Sequence, residues 1–346
     1  MLLPQMSIEY LVSSSLRRLM EVRRRKIGLI QGHGEPSLLQ ITNVQKRLAP
    51  NYKLEPVVLT KNEDWLDYES LLILAPSLKY TDEELECLDN FLSEGKNIFI
   101  ALDRVEYDTE ENEGYKIDSR IEEWLVRKGL IVYSNFIVDN SSSEVRLQEF
   151  APPVSFPYFP KIVNFASHPS TEGVTNIVLR YASSMEFTNI EGISFTPLAI
   201  SSEVSGKKSL PLQIDLHHEW TKNDFLYPKQ VVAAIIEGKL VENTKKDAKI
   251  IVISDADLML DTNTAKRFDD NYLFVTNSID WLSDTSGLAT LKQKGVLESS
   301  KQMEVPVSTF VKYINLFVPL LLIGCAALFF HYRRKRHIDK LRTMDF

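Results

Sequence analysis

The sequence predicts a doubly wound α/β fold with a mostly parallel sheet. Three short apolar runs are typical of buried strands, namely residues 26–31 (KIGLIQ), 71–75 (LLILA) and 97–102 (NIFIAL). Continuous apolar runs of this kind are expected where helices cover a parallel sheet on both faces. Segments with apolar residues at helical spacing separate the runs, and this alternation of strand and helix indicates the α/β class.

The segments between and after these strands follow the alternation that an α/β fold requires. After the first strand, residues 37–48 are expected to form a helix and residues 54–59 the next strand. Thr81 is followed three residues later by Glu84, which is the pattern of a capping box at the start of a second helix. Residues 117–128 carry apolar side chains at helical spacing and predict a third helix.

A β-rich insertion is expected over residues of about 131–216, because short β-like runs there alternate with clusters of Pro, Ser and Asn. The β-like runs are residues 146–150, 177–181, 196–200 and 210–216. The chain then returns to the main sheet with residues 231–237 and 249–254, and an amphipathic helix over residues 271–282 follows. The sequence therefore predicts one α/β domain over residues 26–283.

Residues 314–330 (INLFVPLLLIGCAALFF) form an apolar run in which Asn315 is the only clearly polar side chain. With its flanking aromatic residues the run reaches about 20 residues, the length of a helix that spans a bilayer. We therefore expect a transmembrane helix over residues 313–332, preceded by a linker over residues 284–312. A buried core helix is the alternative.

The charge distribution predicts the topology of this span. The whole chain has a formal net charge of −7, which argues against a dedicated nucleic-acid binder. The tail over residues 333–346 is nevertheless basic, with six Lys or Arg against two Asp. Since basic residues beside a span stay in the cytoplasm, the tail is expected there and the acidic body in the periplasm. Four consecutive basic residues make this prediction: Arg333, Arg334, Lys335 and Arg336.

The N-terminus carries no apolar core of signal-peptide length, although a periplasmic body requires export. Residues 1–25 instead have apolar side chains at helical spacing and predict an amphipathic helix. Either the chain is the C-terminal part of a longer protein with an upstream span, or the body is cytoplasmic and tail-anchored.

The turn after the first predicted strand is the first candidate site, because α/β sheets place ligands at the carboxyl ends of their strands. It reads Gly32, His33, Gly34 and Glu35. His33 and Glu35 are residue types that serve as acid and base or as metal ligands. The turn lacks the spacing of a phosphate-binding loop. A purely structural turn, with Glu35 near a helix N-terminus, is the alternative.

Asp255 and Asp257 form the second candidate, since they follow the predicted strand over residues 249–254, and Asp261 lies beyond them. Three carboxylates this close together could hold a divalent cation, although they do not fit the EF-hand pattern. Capping of the next turn is the alternative. If the two strands are neighbours in the sheet, these carboxylates and the turn at His33 converge on one crevice.

Nucleophilic cysteine chemistry is not supported. Cys87 falls inside the predicted second helix and Cys325 inside the predicted span, whereas a cysteine nucleophile needs a strand-to-helix elbow and an oriented histidine. Two cysteines also build no zinc site.

Several segments together resemble the GldG family, an auxiliary component of an ABC-type transport system associated with gliding motility. The resemblance covers roughly residues 5–335, and the order and spacing of the segments carry it. The segments are KIGLIQ with GHGEP, His168 and Pro169 followed by Gly173 and Val174, VVAAIIEGK, ISDADLM, and NYLFVTNSIDWL ahead of the apolar run.

The resemblance implies a class I amidotransferase-like fold without that class's catalytic cysteine. It also implies a membrane-anchored, non-catalytic subunit in the inner membrane, partnered by an ABC permease and a separate ATPase, with no cofactor. An envelope protein or a glycan is the expected ligand. Family members usually carry an additional N-terminal region with its own span, so this chain looks truncated or split. The alternative function is an envelope hydrolase-like or carbohydrate-binding protein that uses the crevice at His33 and Glu35.

Overall fold

The structure is a computed structural model. It describes residues 25–60, 64–146, 152–216, 218–242, 244–261 and 269–284.

Seventeen strands and four α-helices make up the described chain, with short 3₁₀ turns between them. The helices are α1 (Thr42–Leu48), α2 (Asp82–Ser93), α3 (Ile121–Val126) and α4 (Asp269–Leu282). The strands are β1 (Arg25–Ile30), β2 (Tyr52–Val57), β3 (Ser70–Leu74), β4 (Asn97–Ala101), β5 (Val105–Asp108), β6 (Glu113–Lys116), β7 (Leu130–Val132), β8 (Asn135–Asp139), β9 (Ser142–Val145), β10 (Val154–Ile162), β11 (Asn164–Phe165), β12 (Ile177–Val178), β13 (Met185–Phe187), β14 (Ile193–Ile200), β15 (Ser205–Ser209), β16 (Val231–Gly238) and β17 (Ala248–Ile253).

The central sheet has ten strands and two halves. Its parallel half has the order β2-β1-β3-β4-β17, and β17 then pairs antiparallel with β16. Beyond β16 lie β14 and β11 on one path and β13 with β7 on another, all antiparallel. The result is a mixed α/β fold in which the central strands are parallel.

Helices cover both faces of the sheet. Strand β3 is buried along its whole length, and so are the last four residues of β1 and of β4. Helices α1 and α4 close the core on one face, and α2 and α3 close the core on the other. The continuous apolar runs in the sequence have this physical cause, because a strand covered on both faces has no solvent side.

Helix α2 illustrates how the local sequence sets an element. Its N-cap Thr81 accepts a hydrogen bond from the Glu84 backbone N–H, and the Glu84 carboxylate accepts one from the Thr81 N–H. These bonds satisfy N–H groups that a helix start leaves without partners. The predicted capping box is therefore present, and the apolar side chains of Leu85, Leu88, Phe91 and Leu92 on this helix are buried.

The predicted β-rich insertion is not a separate layer. Strands β7, β11, β13 and β14 from this region extend the central sheet, while the others form small sheets of two or three strands over a third core. Residues 210–216 form no strand, only a single bridge between Leu212 and Gly114, and Pro211 lacks the N–H that a ladder needs. The helix expected from residue 117 begins at Ile121, because Arg120 adopts a left-handed conformation with φ of 71°.

The predicted linker beyond Asp284, the predicted span over residues 313–332 and the basic tail lie outside the described residues, and so do residues 1–24. Among the residues that the structure does describe, no helix is both long enough and apolar enough to cross a membrane.

Candidate functional site

The strand order places a crevice between β1 and β3. The helix that follows β1 packs on one face of the sheet, and the helix that follows β3 packs on the other. The loops therefore diverge at the carboxyl ends of these neighbouring strands. Doubly wound folds bind their ligands at such a switch point. The predicted turn at His33 lies there.

Backbone geometry fixes this turn. Gly32 and Gly34 have φ of 126° and 84°, which L-residues rarely adopt. The carbonyl of His33 accepts hydrogen bonds from the N–H groups of Ser77 and Leu78, at 2.8 and 2.9 Å. The loop after β1 is thereby tied to the loop after β3.

The side chain of His33 is buried between groups from both loops. Its ring stacks on Tyr80 with a centroid separation of 3.7 Å and an interplanar angle of 12°. Its Nε2 lies 3.1 Å from Glu84 Oε2. Its Nδ1 lies 3.3 Å from Glu35 Oε1, but the angles there do not meet those of a hydrogen bond, so that contact is electrostatic only.

Glu35 is a buried acceptor. Its side chain is fully buried, with Oε2 accepting the His33 backbone N–H at 2.6 Å and Oε1 accepting the Tyr80 hydroxyl at 2.9 Å. Burial raises the pKa of Tyr80, and the adjacent Glu35 carboxylate raises it further. The Tyr80 hydroxyl therefore stays protonated and donates.

Glu84 closes the arrangement from the first turn of α2. Partial burial opposes its ionisation, but hydrogen bonds from Thr81 and His33 outweigh that effect and lower the pKa of Glu84. We call His33, Glu35, Tyr80 and Glu84 the His33 cluster. In this protein the switch-point crevice is filled by the cluster's own side chains.

Asp255 and Asp257 lie at a different point of the same sheet edge, after β17. Both oxygens of the buried Asp255 accept backbone N–H groups, Oδ1 from Asp257 at 2.8 Å and Oδ2 from Arg180 at 2.7 Å. Asp257 is more exposed, and its Oδ2 lies 3.5 Å from Arg180 Nη1. The structure adds Asp103 from the end of neighbouring β4, whose Oδ1 accepts the Ala256 N–H at 2.7 Å.

The carboxyl groups of Asp103 and Asp255 hold their protons more firmly than usual, because the pKa of each is raised. Burial raises the pKa of Asp103 to about 7, and repulsion from Asp257 contributes. Burial also raises the pKa of Asp255 well above its ordinary range, with repulsion from Asp257 and Asp103 adding to it. Burial and repulsion from neighbouring carboxylates therefore both favour the protonated forms of Asp103 and Asp255.

The two candidates do not form one crevice. Strands β3 and β4 lie between β1 and β17, which separates the two strands by about 14 Å at the usual strand spacing. The predicted convergence required neighbouring strands, and the sheet does not provide them.

Asp261 has a capping role at the start of another helix. Its carboxylate accepts hydrogen bonds from the backbone N–H groups of Thr42 and Asn43 and from both of their side chains. Among the described residues, no group of three or more His, Cys, Asp or Glu side chains has the geometry of a metal site.

Sequence reasoning missed three members of these sites. Asp103 follows strand β4 directly, as Asp255 follows β17, so the same signal would have found it. Tyr80 and Glu84 reach His33 only through the packing of the β3 loop and α2 against β1. No sequence pattern marks that contact.

The fold and the two sites define an α/β domain with a filled switch-point crevice. A family model described as an ABC-type uncharacterized transport system matches residues 24–282, which is more than half of the chain. The chain therefore belongs to this family, the auxiliary components of ABC-type transport systems. The comparison with curated proteins gave no match.

Solved structures show similarity in fold. The mmIFT52 N-terminal domain aligns with a TM-score of 0.53 at 15% identity, covering 75% of this chain and 98% of that one. A protein from Thermoplasma acidophilum that is described as a GMP synthase subunit aligns with a TM-score of 0.37 at 11% identity, covering 76% and 98%. The exo-beta-1,4-mannosidase Op5Man5 from Opitutaceae bacterium strain TAV5 gives 0.32 at 8% identity, covering 86% and 39%. At 15% identity the likeness to the mmIFT52 N-terminal domain concerns the fold alone, and TM-scores of 0.37 and 0.32 do not establish a shared fold with the other two.

Proposed function

We propose that this protein is a non-catalytic, membrane-anchored auxiliary subunit of an ABC-type transport system. The family match over residues 24–282 carries the proposal. Its partners are an ABC permease and a separate ATPase subunit in the inner membrane. The resemblance of the sequence to the GldG family supports a role in gliding motility or envelope secretion.

The His33 cluster supports a non-catalytic role. The side chains of His33 and Glu35 are 7% and 0% exposed, and the Glu35 oxygens already accept hydrogen bonds from within the protein. An acid or base must reach the proton that it transfers, directly or through one water molecule. As folded, these two groups are closed to a substrate, which disfavours the hydrolase alternative.

The proposed anchor is the apolar run over residues 313–332, and the proposed location of the α/β domain is the periplasm. The basic tail at Arg333, Arg334, Lys335 and Arg336 supports this orientation, because such residues stay on the cytoplasmic side. Protease added to intact spheroplasts is expected to digest the α/β domain. A protected domain, with digestion only after lysis, would instead indicate a cytoplasmic, tail-anchored protein.

The partner assignment is tested by purification of the tagged chain from native membranes solubilised in a mild detergent. We expect a permease and an ATPase subunit in stoichiometric amounts. The catalytic alternative is tested separately with His33→Gln and Glu35→Gln variants that have been shown to fold. Transport-dependent function is expected to survive the removal of either proton-transfer group.

A further inference from the structure

A row of six aromatic side chains lies at the third core. Each ring contacts the next, with centroid separations of 4.9–5.9 Å. Three of the rings come from β10, one comes from β5, and two come from the irregular segments after β12 and after β15. We call this set the aromatic row, and its members in order of contact are Trp220, Tyr158, Phe156, Phe159, Tyr181 and Tyr107. The fold thus assembles one continuous aromatic surface from separate parts of the chain.

The aromatic row is open to solvent along most of its length. Tyr158 is buried, with 5% of its surface exposed, whereas the other five side chains are partly exposed. The segment that carries Trp220 also leaves Leu216, Leu226 and Tyr227 more than half exposed. An exposed apolar surface of this kind is typical of an interaction site rather than of a closed core.

Two hydroxyl groups of the aromatic row are not used within the protein. Among the described residues, neither the hydroxyl of Tyr158 nor that of Tyr181 has a hydrogen-bond partner, and neither oxygen is sealed from solvent. A tyrosine as deeply buried as Tyr158 usually finds a partner for its hydroxyl. Burial raises the pKa of both tyrosines to about 12, so both hydroxyls stay protonated and can donate.

The charged side chains beside the aromatic row are paired with one another. Lys208 Nζ lies 2.7 Å from Asp224 Oδ1, and this contact lowers the pKa of Asp224. At the other end, Arg180 Nη1 lies 3.5 Å from Asp257 Oδ2, and the guanidinium also lies over the ring of Phe159. Each positive group thus has a negative neighbour in the protein. A ligand at the row has no unpaired charge to neutralise.

Tyr181 holds its place in the row with an unfavourable backbone conformation. Its φ is 50°, in the left-handed region that bulky side chains rarely adopt. Strain of this kind costs free energy and is concentrated at functional sites. The position of this ring therefore matters for more than the filling of the third core.

We propose that the aromatic row binds a neutral glycan chain. A sugar ring has a face of C–H groups and a rim of hydroxyls, so it fits aromatic rings that carry hydrogen-bonding edges. The available donors are the hydroxyls of Tyr158 and Tyr181 and the indole Nε1 of Trp220, which also has no partner among the described residues. An apolar protein segment would leave these donors unpaired, which is costly. The proposal goes beyond the transporter assignment and does not depend on it.

The first experiment is isothermal titration calorimetry of the full chain with three neutral β-1,4-linked hexasaccharides, of glucose, mannose and N-acetylglucosamine. The protein is kept in a detergent without a sugar headgroup. We expect at least one of the three to bind. Tyr158→Phe is expected to weaken that binding about 2- to 12-fold, which is the contribution of one neutral hydrogen bond. Thermal unfolding is expected to stay unchanged, because the lost hydroxyl has no partner among the described residues.

Tyr133→Phe is the matched control. The Tyr133 hydroxyl donates to Glu186 and lies outside the aromatic row, so its removal should leave the affinity for the hexasaccharide unchanged. Failure of all three hexasaccharides to bind overturns the proposal. Equal affinities of Tyr158→Phe and Tyr133→Phe overturn it as well.

The second experiment separates a glycan from a protein partner. Trp220→Ala removes the ring at one end of the row and is expected to weaken hexasaccharide binding at least tenfold. The same variant, purified from native membranes, should retain the proteins that co-purify with the unsubstituted chain. Loss of a co-purifying protein together with unchanged hexasaccharide binding would assign the row to a protein partner and overturn the proposal. Absence of a permease and an ATPase from both preparations would contradict the transporter assignment alone.

Discussion

Gly34→Ala tests whether the turn after β1 requires glycine because of its positive φ and its close approach to Ser77. Gly34 has φ of 84°, and a Cβ added there would lie 2.1 Å from Ser77 Oγ. The substitution therefore introduces two separate costs. One is the backbone strain of an L-residue in the left-handed region, and the other is a collision with a side chain of the β3 loop.

The magnitudes of these costs are additive to a first approximation. The left-handed conformation costs roughly 1–2 kcal/mol for an L-residue. Relieving the collision forces Ser77 off its rotamer, which adds about 0.5–1.5 kcal/mol. We expect Gly34→Ala to lower the free energy of unfolding by about 2–3 kcal/mol.

Two further variants separate the costs. Gly192 has a similar φ of 79°, and a Cβ added there would meet nothing within 4 Å, so Gly192→Ala is expected to show the backbone cost alone. Ser77→Ala combined with Gly34→Ala removes the colliding oxygen, and the nearest remaining contact of the new Cβ is an ordinary 3.4 Å. The double variant is expected to recover the collision part of the loss.

The assay is urea unfolding of the full chain followed by tryptophan fluorescence, with the slope against urea checked for constancy. The reasoning is refuted if Gly34→Ala is no more destabilising than Gly192→Ala. It is also refuted if removal of the Ser77 hydroxyl restores nothing.

Two more predictions concern carboxylates at the same sheet edge. Asp103→Asn is expected to stabilise the protein by about 1–3 kcal/mol near pH 8, after discounting for the coupling to Asp255. Because the pKa of Asp103 is raised to about 7, the protonated carboxyl group contributes fully to stability below about pH 4. This contribution is lost as pH rises through about 7 and the group ionises. The stability gain of Asp103→Asn should therefore vanish in acid, and a gain independent of pH would contradict a raised pKa for Asp103. Asp261→Ala is expected to destabilise α1 by about 1–2 kcal/mol, because the N–H groups of Thr42 and Asn43 lose their acceptor. Hydrogen bonds from these two residues outweigh partial burial and lower the pKa of Asp261, so this loss should be present above about pH 4 and shrink in stronger acid. Thermal unfolding across pH checks both variants.

The parallel half of the fold could be predicted because its strands are buried on both faces. Strands β1, β3, β4 and β17 each appear in the sequence as a largely apolar run. The start of α2 was equally clear, since the capping box at Thr81 is a local pattern. The boundaries of these elements shifted by only a residue or two.

The pairing of the antiparallel half could not be predicted, because contacts between residues far apart in the sequence decide it. Strand β7 joins β13 across more than fifty residues, and β14 joins β16 across a connection that runs from residue 201 to residue 230. Strands β7 and β13 have only three residues each, which is too short to show a periodicity. The strand with which each of them pairs depends on which edge of the sheet is free to form backbone hydrogen bonds.

The candidate sites were likewise predictable in part: the position of their residues could be predicted, and their arrangement in space could not. His33, Glu35, Asp255 and Asp257 stand directly after strands, so the sequence placed them at the correct edge of the sheet. Whether they converge depends on strand order, which the local pattern does not contain. The resemblance to class I amidotransferases stays a prediction, as do the membrane span and its topology.

Membership in a transport complex can be tested on the protein in its native membrane. The tagged full chain is purified from native membranes, and the co-purifying proteins are identified by mass spectrometry with stoichiometry. We expect a membrane permease and a separate ABC ATPase, both retained at moderate salt. Recovery of the chain without either of these two proteins, from membranes in which both are present, would contradict it.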